Sequence, residues 1–517
     1  MEKRQEELLW LLAPAVALGI AVVAPVLREG GAGGIGVGQR LAALAGAGGM
    51  VAAAGALAWL GRPRPELRPG KLGVARTARI WELRRLWGGG GARVRLGRVG
   101  PVRLRLPEDE HLLVLGPTGS GKSSSLAIPA LLEWPGPVVV TDPKAELLAR
   151  TLRAREGRGR AVVFAPLMEP SDGWNPVSAI SSSEDALRTA GFLLGRPPER
   201  EPFWHDLALQ LLHGLLVEAA SAGLAMSDLL SLLQQVPAEE LGGEILHPGA
   251  RQLIQGALSG GDRTAMGVVA TLVAKLGVFG TEQVARTTAR STFDPRELAS
   301  GGVTSLYCLV SPTDAPLLRG LLSALLAACW RGVFASPPST PVLFVLDEFA
   351  QLTALPELPS LAQLGRTQGV RLVLLAQDLA SIAALYGPET VTALWANCRT
   401  KLLLPGISEV DLLERASRLV GAATLHAADG GPMQSHPLLP PDQIRRLSPG
   451  RALILRGSEH PALVRQVPWF ADRRLRAAAG ALPDTERMPR LARGRPISLG
   501  PAPRPIAWTQ AVEGDPS

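Results

Sequence analysis

Residues 116–123 read Gly-Pro-Thr-Gly-Ser-Gly-Lys-Ser. This is G-x-x-x-x-G-K-[ST] without a departure, and no other eight residues constrain the fold as tightly. Such a loop works only where a strand hands over to a helix. Glycines let the backbone turn its N–H groups inward around phosphate oxygens, and the helix N-terminus adds positive potential. The flanks meet that demand. "LLVL" (Leu112–Leu115) reads as a buried strand, and "SSSLAIPALL" (Ser123–Leu132) can open a helix. The nucleotide-binding candidates are Gly116, Pro117, Thr118, Gly119, Ser120, Gly121, Lys122, Ser123 and Ser124. Lys122 would reach the β- and γ-phosphates of ATP, and the Ser123 hydroxyl would ligate Mg²⁺.

A phosphate loop needs an acidic strand end to complete its metal site. "VLFVLDEFAQL" (Val342–Leu352) supplies five apolar residues ending in Asp347 and Glu348. Asp347 is the second metal candidate, and Glu348 the candidate general base that polarises the attacking water. Further apolar strand candidates recur at 138–142, 161–166, 305–311, 370–377, 401–406 and 452–456, with helical stretches between them. That alternation predicts an α/β fold, a mostly parallel sheet covered by helices. Ligands in such sheets sit at the carboxyl ends of strands, where both Lys122 and Asp347 fall. "LSGGD" (Leu258–Asp262) looks like an ABC-transporter signature, but about eighty residues separate Gly261 from Asp347. It reads as a loop between helices.

The basic balance, 54 Lys+Arg against 46 Asp+Glu with a pI near 10.0, suits a partner that carries phosphates, nucleic acid or a membrane surface. An arginine-rich, lysine-poor coding composition explains the same excess. Cys308, Cys329 and Cys398 are scattered in apolar surroundings, which gives no disulfide framework and no metal-ligand spacing. Two uncharged apolar runs, 8–27 and 41–60, would each reach about 30 Å as helices, the thickness of a bilayer's hydrocarbon core. Lys3 and Arg4 precede them, and Arg62, Arg64, Arg68, Lys71, Arg76 and Arg79 follow. By the positive-inside rule this predicts a transmembrane hairpin with both ends in the cytoplasm, residues 1–68 forming a multi-pass anchor in the inner (plasma) membrane. A signal peptide and a buried Ala/Gly-rich helix are the competing readings of the two runs.

Other segments add a pattern. "HLLVLGPTGSGKSSSLAIPALLEW" is followed by "VVVTDPKAELL", then by "GWNPVS" (Gly173–Ser178), "FWHDLALQLL" (Phe203–Leu212) and "VLDEFAQLTALPELPSLAQLGRTQGVRLVLLAQDLASIAALYG". From about Gly73 to about Phe470 the chain resembles the TraG/TraD-type coupling proteins of conjugation and type IV secretion, relatives of the FtsK/HerA DNA pumps. Ala145 departs from the glycine usual in that family's D-P-K-G-E-L, which leaves a role for Lys144 and Glu146 open. The resemblance implies a homohexameric ring of RecA-like P-loop NTPase domains below a membrane anchor. It implies ATP-driven export of DNA, single-stranded with an attached relaxase-type protein, toward the components of a type IV secretion channel. It also implies two further catalytic residues. Arg366 lies where the family offers an arginine to the neighbouring subunit's nucleotide, and Gln377 where it has a sensor glutamine. A surface arginine and a capping side chain are the bland alternatives.

The RecA-like domain is expected over residues 69–179 and 293–473. Between them, 180–292 carries Leu and Ala at helical spacing without strand signals, an inserted all-α domain. Residues 474–517 are Pro/Arg-rich and expected to be disordered. Basic residues interleaved with aromatics, the stacking pattern of single-strand binders, are not found; Phe, Trp and Tyr make up only 4%. Two other functions fit the same motor: an ATP-gated receptor for protein-only cargo, and an FtsK-like DNA translocase.

Overall fold

The computed structural model of the protein describes residues 75–87, 94–197, 202–425, 434–480 and 488–491. The apolar runs 8–27 and 41–60 lie outside them. Eleven strands form one sheet: β1 (Arg95–Val99), β2 (Val102–Arg105), β3 (Leu112–Leu115), β4 (Val138–Thr141), β5 (Arg160–Phe164), β6 (Thr304–Cys308), β7 (Val342–Asp347), β8 (Val370–Ala376), β9 (Thr400–Leu403), β10 (Arg451–Arg456) and β11 (Ala462–Arg465). Their order is β2-β1-β11-β10-β9-β3-β8-β7-β4-β6-β5. Every pairing from β9 across to β5 is parallel, and every pairing from β9 across to β2 is antiparallel.

The parallel strands read as unbroken apolar runs because both of their faces are covered. β3, β4 and β7 are buried at every position. Side chains alternate across a strand, so one run feeds two cores. Leu113, Leu115 and Val139 join the cluster on one face, and Leu112, Val114, Val138 and Val140 the cluster on the other. After the phosphate loop the chain makes one π turn (Ser123–Ala127) and continues as α1 (Ile128–Glu133). The change falls just before Pro129, which has no N–H to donate. A second helix, α2 (Glu146–Glu156), follows β4.

Between β5 and β6 the described residues from Ser183 on are mainly helical: α3 (Ser183–Leu194), α4 (Pro202–Ala222), α5 (Met226–Gln235), α6 (Pro248–Leu258), α7 (Asp262–Leu276) and α8 (Glu282–Ala289). The segment leaves and re-enters the sheet region at one place. The Trp174 N–H donates to the Thr287 carbonyl at 2.8 Å, and the Thr292 N–H to the Gly173 carbonyl at 2.9 Å. Trp174, from the "GWNPVS" stretch, is buried edge-on against Phe164 at that junction. The helices share one hydrophobic cluster with the sheet face they meet, joined through α9 (Ala315–Ala335). α9 is long and apolar enough to cross a membrane, yet two thirds of it is buried inside the protein. "LSGGD" is the turn between α6 and α7, as its spacing predicts.

Three strands of this sheet were not visible in the sequence: β1, β2 and β11. Arginines alternate with apolar residues in β2, Gly97 and two arginines interrupt β1, and β11 has only Ala462, Leu463 and Val464 before Arg465, so they lack the longer apolar run that betrays β3 or β7. Order also extends past 473. Arg473–Ala479 form a helix whose Leu475 and Ala479 are buried, and Arg490–Leu491 pair with Met168–Glu169.

Candidate functional site

The phosphate loop opens at the carboxyl edge of the parallel sheet. Gly119 and Gly121 take φ of +80° and +98°, conformations that a side chain disfavours, and so keep the loop wrapped inward. The Lys122 ammonium points back across the loop. It donates to the carbonyls of Gly116 at 2.5 Å and Pro117 at 3.3 Å. It also lies 3.4 Å from Oε1 of Glu348. Lys122, Ser123, Ser124, Asp347 and Glu348 thus line one cavity of about 280 Å³, together with Pro117, Thr118, Gly119 and Gly121. Residues more than two hundred positions apart in the chain meet there because β3 and β7 are separated only by β8.

Each acid is held for a reason. The Asp347 carbonyl accepts from the Thr141 hydroxyl at 3.0 Å, which ties the tip of β7 to β4. The Asp347 carboxyl is buried, and its Oδ1 has no hydrogen-bond partner. Burial, then the carboxylates of Glu348 and Asp142, push its pKa up to about 7. A buried acid with an orphaned oxygen, lining the same cavity as the Ser123 hydroxyl, is a donor set that suits a hard divalent cation. Glu348 sits in the left-handed region at φ +48°, a cost of about 1–2 kcal/mol for a residue with a Cβ. Such strain at a strand tip is the kind that functional sites store, and here it aims the carboxylate at Lys122.

Lys144 and Glu146 also line the cavity. Their loop is organised by Asp142, the residue after β4. Its carboxylate accepts from the backbone N–H of Leu148 at 2.8 Å, of Glu146 at 3.2 Å and of Lys144 at 3.3 Å. Burial raises its pKa to about 6. Ala145 at the crest has φ +55°, which accounts for the glycine the motif usually carries there. Thr141 and Asp142 are site-supporting residues that motif reading passed over. The "VVVTDPK" run carried the signal, an apolar strand ending in two polar groups beside the phosphate loop.

Gln377 follows Ala376, whose carbonyl accepts the Gly116 N–H at 3.2 Å. It therefore stands at the same sheet edge as the loop, although it is not among the cavity's lining residues. Arg366 is at the other edge. It precedes the amino end of β8, and with Asp109, His111 and Arg399 it lines a separate cavity of about 200 Å³. The structure brings Lys122, Ser123, Asp347 and Glu348 together and keeps Arg366 away from its own chain's phosphate loop.

This arrangement defines a class: an α/β protein of P-loop nucleotide-binding fold. Residues 75–489 match the family described as Type IV secretory system Conjugative DNA transfer, and the chain belongs to that family. Protein VirD4 of Agrobacterium fabrum (strain C58) is 25% identical over 417 residues, 73% of this chain and 62% of that protein. The conjugal transfer protein TraG of Escherichia coli is 25% identical over 363 residues, 62% of this chain and 56% of that protein. The chain thus spans less than two thirds of the length of these curated relatives. Among solved structures, the plasmid coupling protein TrwB in complex with ADP and Mg²⁺ superimposes with a TM-score of 0.58 at 22% identity, over 76% of this chain and 94% of that one. The likeness establishes the fold.

Proposed function

We propose that the protein is a membrane-anchored ATPase that couples DNA to a type IV secretion channel and drives its transfer by ATP hydrolysis. The observation that carries this reading is the convergence of Lys122, Ser123, Asp347 and Glu348 on one cavity, in a chain whose family is conjugative DNA transfer. The ADP and Mg²⁺ in the TrwB complex support ATP and Mg²⁺ as the ligands here.

In this reading Lys122 neutralises the β- and γ-phosphate oxygens, and the loop's N–H groups orient the triphosphate. Ser123 and Asp347 hold Mg²⁺, which supplies further charge neutralisation on those oxygens. Glu348 accepts the proton of the attacking water. Gln377, at the neighbouring strand end, reports whether the γ-phosphate is present. Arg366 cannot serve its own site from the opposite edge, so it acts on the nucleotide of an adjacent subunit. That division of labour calls for a ring, which we take to be a homohexamer below the hairpin of residues 8–27 and 41–60. A site shared across an interface converts phosphate loss into altered packing between neighbours.

The test is turnover with and without single-stranded DNA. The purified chain is expected to hydrolyse ATP, faster with DNA, and Lys122→Ala to abolish nucleotide binding or hydrolysis. Normal turnover by Lys122→Ala would sink the site assignment. Turnover indifferent to DNA would favour a receptor for protein cargo instead.

A further inference from the structure

The antiparallel end of the sheet carries a feature that ATP chemistry does not use. Its register pairs Arg103 of β2 with Arg98 of β1, Arg98 with Arg465 of β11, and Arg465 with Arg451 of β10. Residues directly opposite in antiparallel strands share a face, so the four arginines form one rank across four strands, about 14 Å from first to last. Like charges placed opposite one another destabilise a sheet. Arg95, on the same hairpin, is neutralised by Glu133 and Asp472. Among the described residues no carboxylate pairs with any of the four in the rank.

The rank borders a hollow. Arg98, Arg451 and Arg465 line a cavity of about 570 Å³ with Gln466. Gln466 is only 5% exposed; its Nε2 donates to the Leu96 carbonyl at 2.8 Å, and its Oε1 has no partner. The Nε of Arg98 is likewise unpartnered. Pro468 and Ala471 also line the cavity, and they bracket Trp469 and Phe470. Phe470 is 53% exposed, its ring edge-on to Trp469 at 5.9 Å.

We propose that this arginine rank binds the sugar–phosphate backbone of single-stranded nucleic acid, with Phe470 as a stacking platform for a base. The site offers both halves of that recognition: guanidinium groups for successive phosphates, and an exposed aromatic face beside them. A base can reach a ring only when it is not locked in a duplex, which selects a single strand. The sequence hid this pairing of basic and aromatic residues because the arginines come from four strands and the aromatics follow β11. The proposal rests on the reading above for the presence of DNA, and on its own geometry for the site.

The experiment is fluorescence anisotropy with the full chain in detergent and a labelled 30-nucleotide oligothymidine, across a salt series. Arg98→Gln/Arg451→Gln/Arg465→Gln is expected to weaken binding at least about tenfold. It should also lower the slope of log affinity against log salt by about 2, since each single-strand phosphate contact contributes about 0.7. The corresponding triple Lys variant should keep the wild-type slope, which separates lost charge from a damaged fold. Phe470→Ala should weaken binding about tenfold with the slope unchanged. Affinity for a fluorescent ATP analogue should stay the same in all of them. Wild-type oligonucleotide binding by the Gln variant overturns the proposal. A matching loss of ATP-analogue affinity overturns it too, because the hollow would then belong to the nucleotide site; Ser125 lines the cavity adjoining it. Loss of binding to phosphatidylglycerol vesicles with oligonucleotide binding intact would assign the rank to a membrane surface instead. If the wild type fails to hydrolyse ATP but the oligonucleotide results hold, the ATPase reading falls and this site stands.

Discussion

Oε1 of Glu348 lies 3.4 Å from the ammonium of Lys122. The general-base candidate and the candidate phosphate-binding lysine therefore face each other as an ion pair across the space where, in the proposed reading, a γ-phosphate would enter. On that reading, a γ-phosphate entering the space would part them, freeing the carboxylate for a water as it engages the lysine. Glu348→Gln removes the base and half of the pair. Hydrolysis is expected to fall by about 10²–10⁴-fold while nucleotide affinity holds or rises modestly. Phosphate release and fluorescent-nucleotide titration check the two halves separately. An unchanged rate would remove Glu348 from the base role.

Arg366 lies at the amino end of β8 and the phosphate loop at the carboxyl end of β3, opposite edges of one sheet. No side-chain motion carries a guanidinium across that thickness. If Arg366 is catalytic, it serves another subunit, and its loss must be felt in mixtures. ATPase activity of Arg366→Ala subunits titrated into wild type should fall more steeply than the wild-type fraction. A straight line against that fraction would leave Arg366 a surface residue.

Legibility in the sequence tracked burial. β3, β4 and β7 are covered on both faces, so their apolar runs announced them, and the acidic tip at Asp347 followed. The all-α character of the stretch from Ser183 to Ala289 was legible from its helical spacing. β1, β2 and β11 were not, because arginines and Gly97 interrupt β1 and β2 and the apolar part of β11 stops at Val464, too short a run to stand out. The Asp142 loop was half visible. Its composition pointed to the site, but that Asp142 binds three backbone N–H groups depends on a left-handed Ala145, which an alanine codon hides. The Arg366 placement needed the sheet itself, since the distance between two edges of a sheet has no trace in residue spacing.

Ala145 offers a direct test of that strain. At φ +55° its Cβ crowds the backbone, at about 1–2 kcal/mol relative to glycine. Glycine gives part of this back through the greater freedom of its unfolded chain. Ala145→Gly is therefore expected to stabilise the protein by about 0.5–1 kcal/mol, read as a raised denaturation midpoint. A destabilised variant would mean that the Cβ contributes packing that outweighs the strain.

His111 sets a pH dependence whose sign can be worked out. The imidazole is buried at the start of β3, and its Nδ1 accepts the Leu372 N–H at 3.1 Å. Burial, then the positive charges of Arg371 and Arg366, lower its pKa to about 4 from the ordinary 6.5. The folded state thus keeps the ring neutral where the unfolded chain protonates it. Between about pH 6.5 and 4 the unfolded state binds more protons, so stability is full above that window and falls as pH drops through it. The displacement corresponds to at most about 3 kcal/mol at the acid end. Asp142 and Asp347, with raised pKa values, push the opposite way over part of the same range, so the effect must be read as a difference. His111→Asn keeps an acceptor near the Leu372 N–H and removes the titration. Denaturant unfolding from pH 7 to pH 4.5 should show the wild type losing stability relative to this variant as pH falls. Parallel profiles would mean that the ring charges freely in the folded protein and that the two arginines do not hold it neutral.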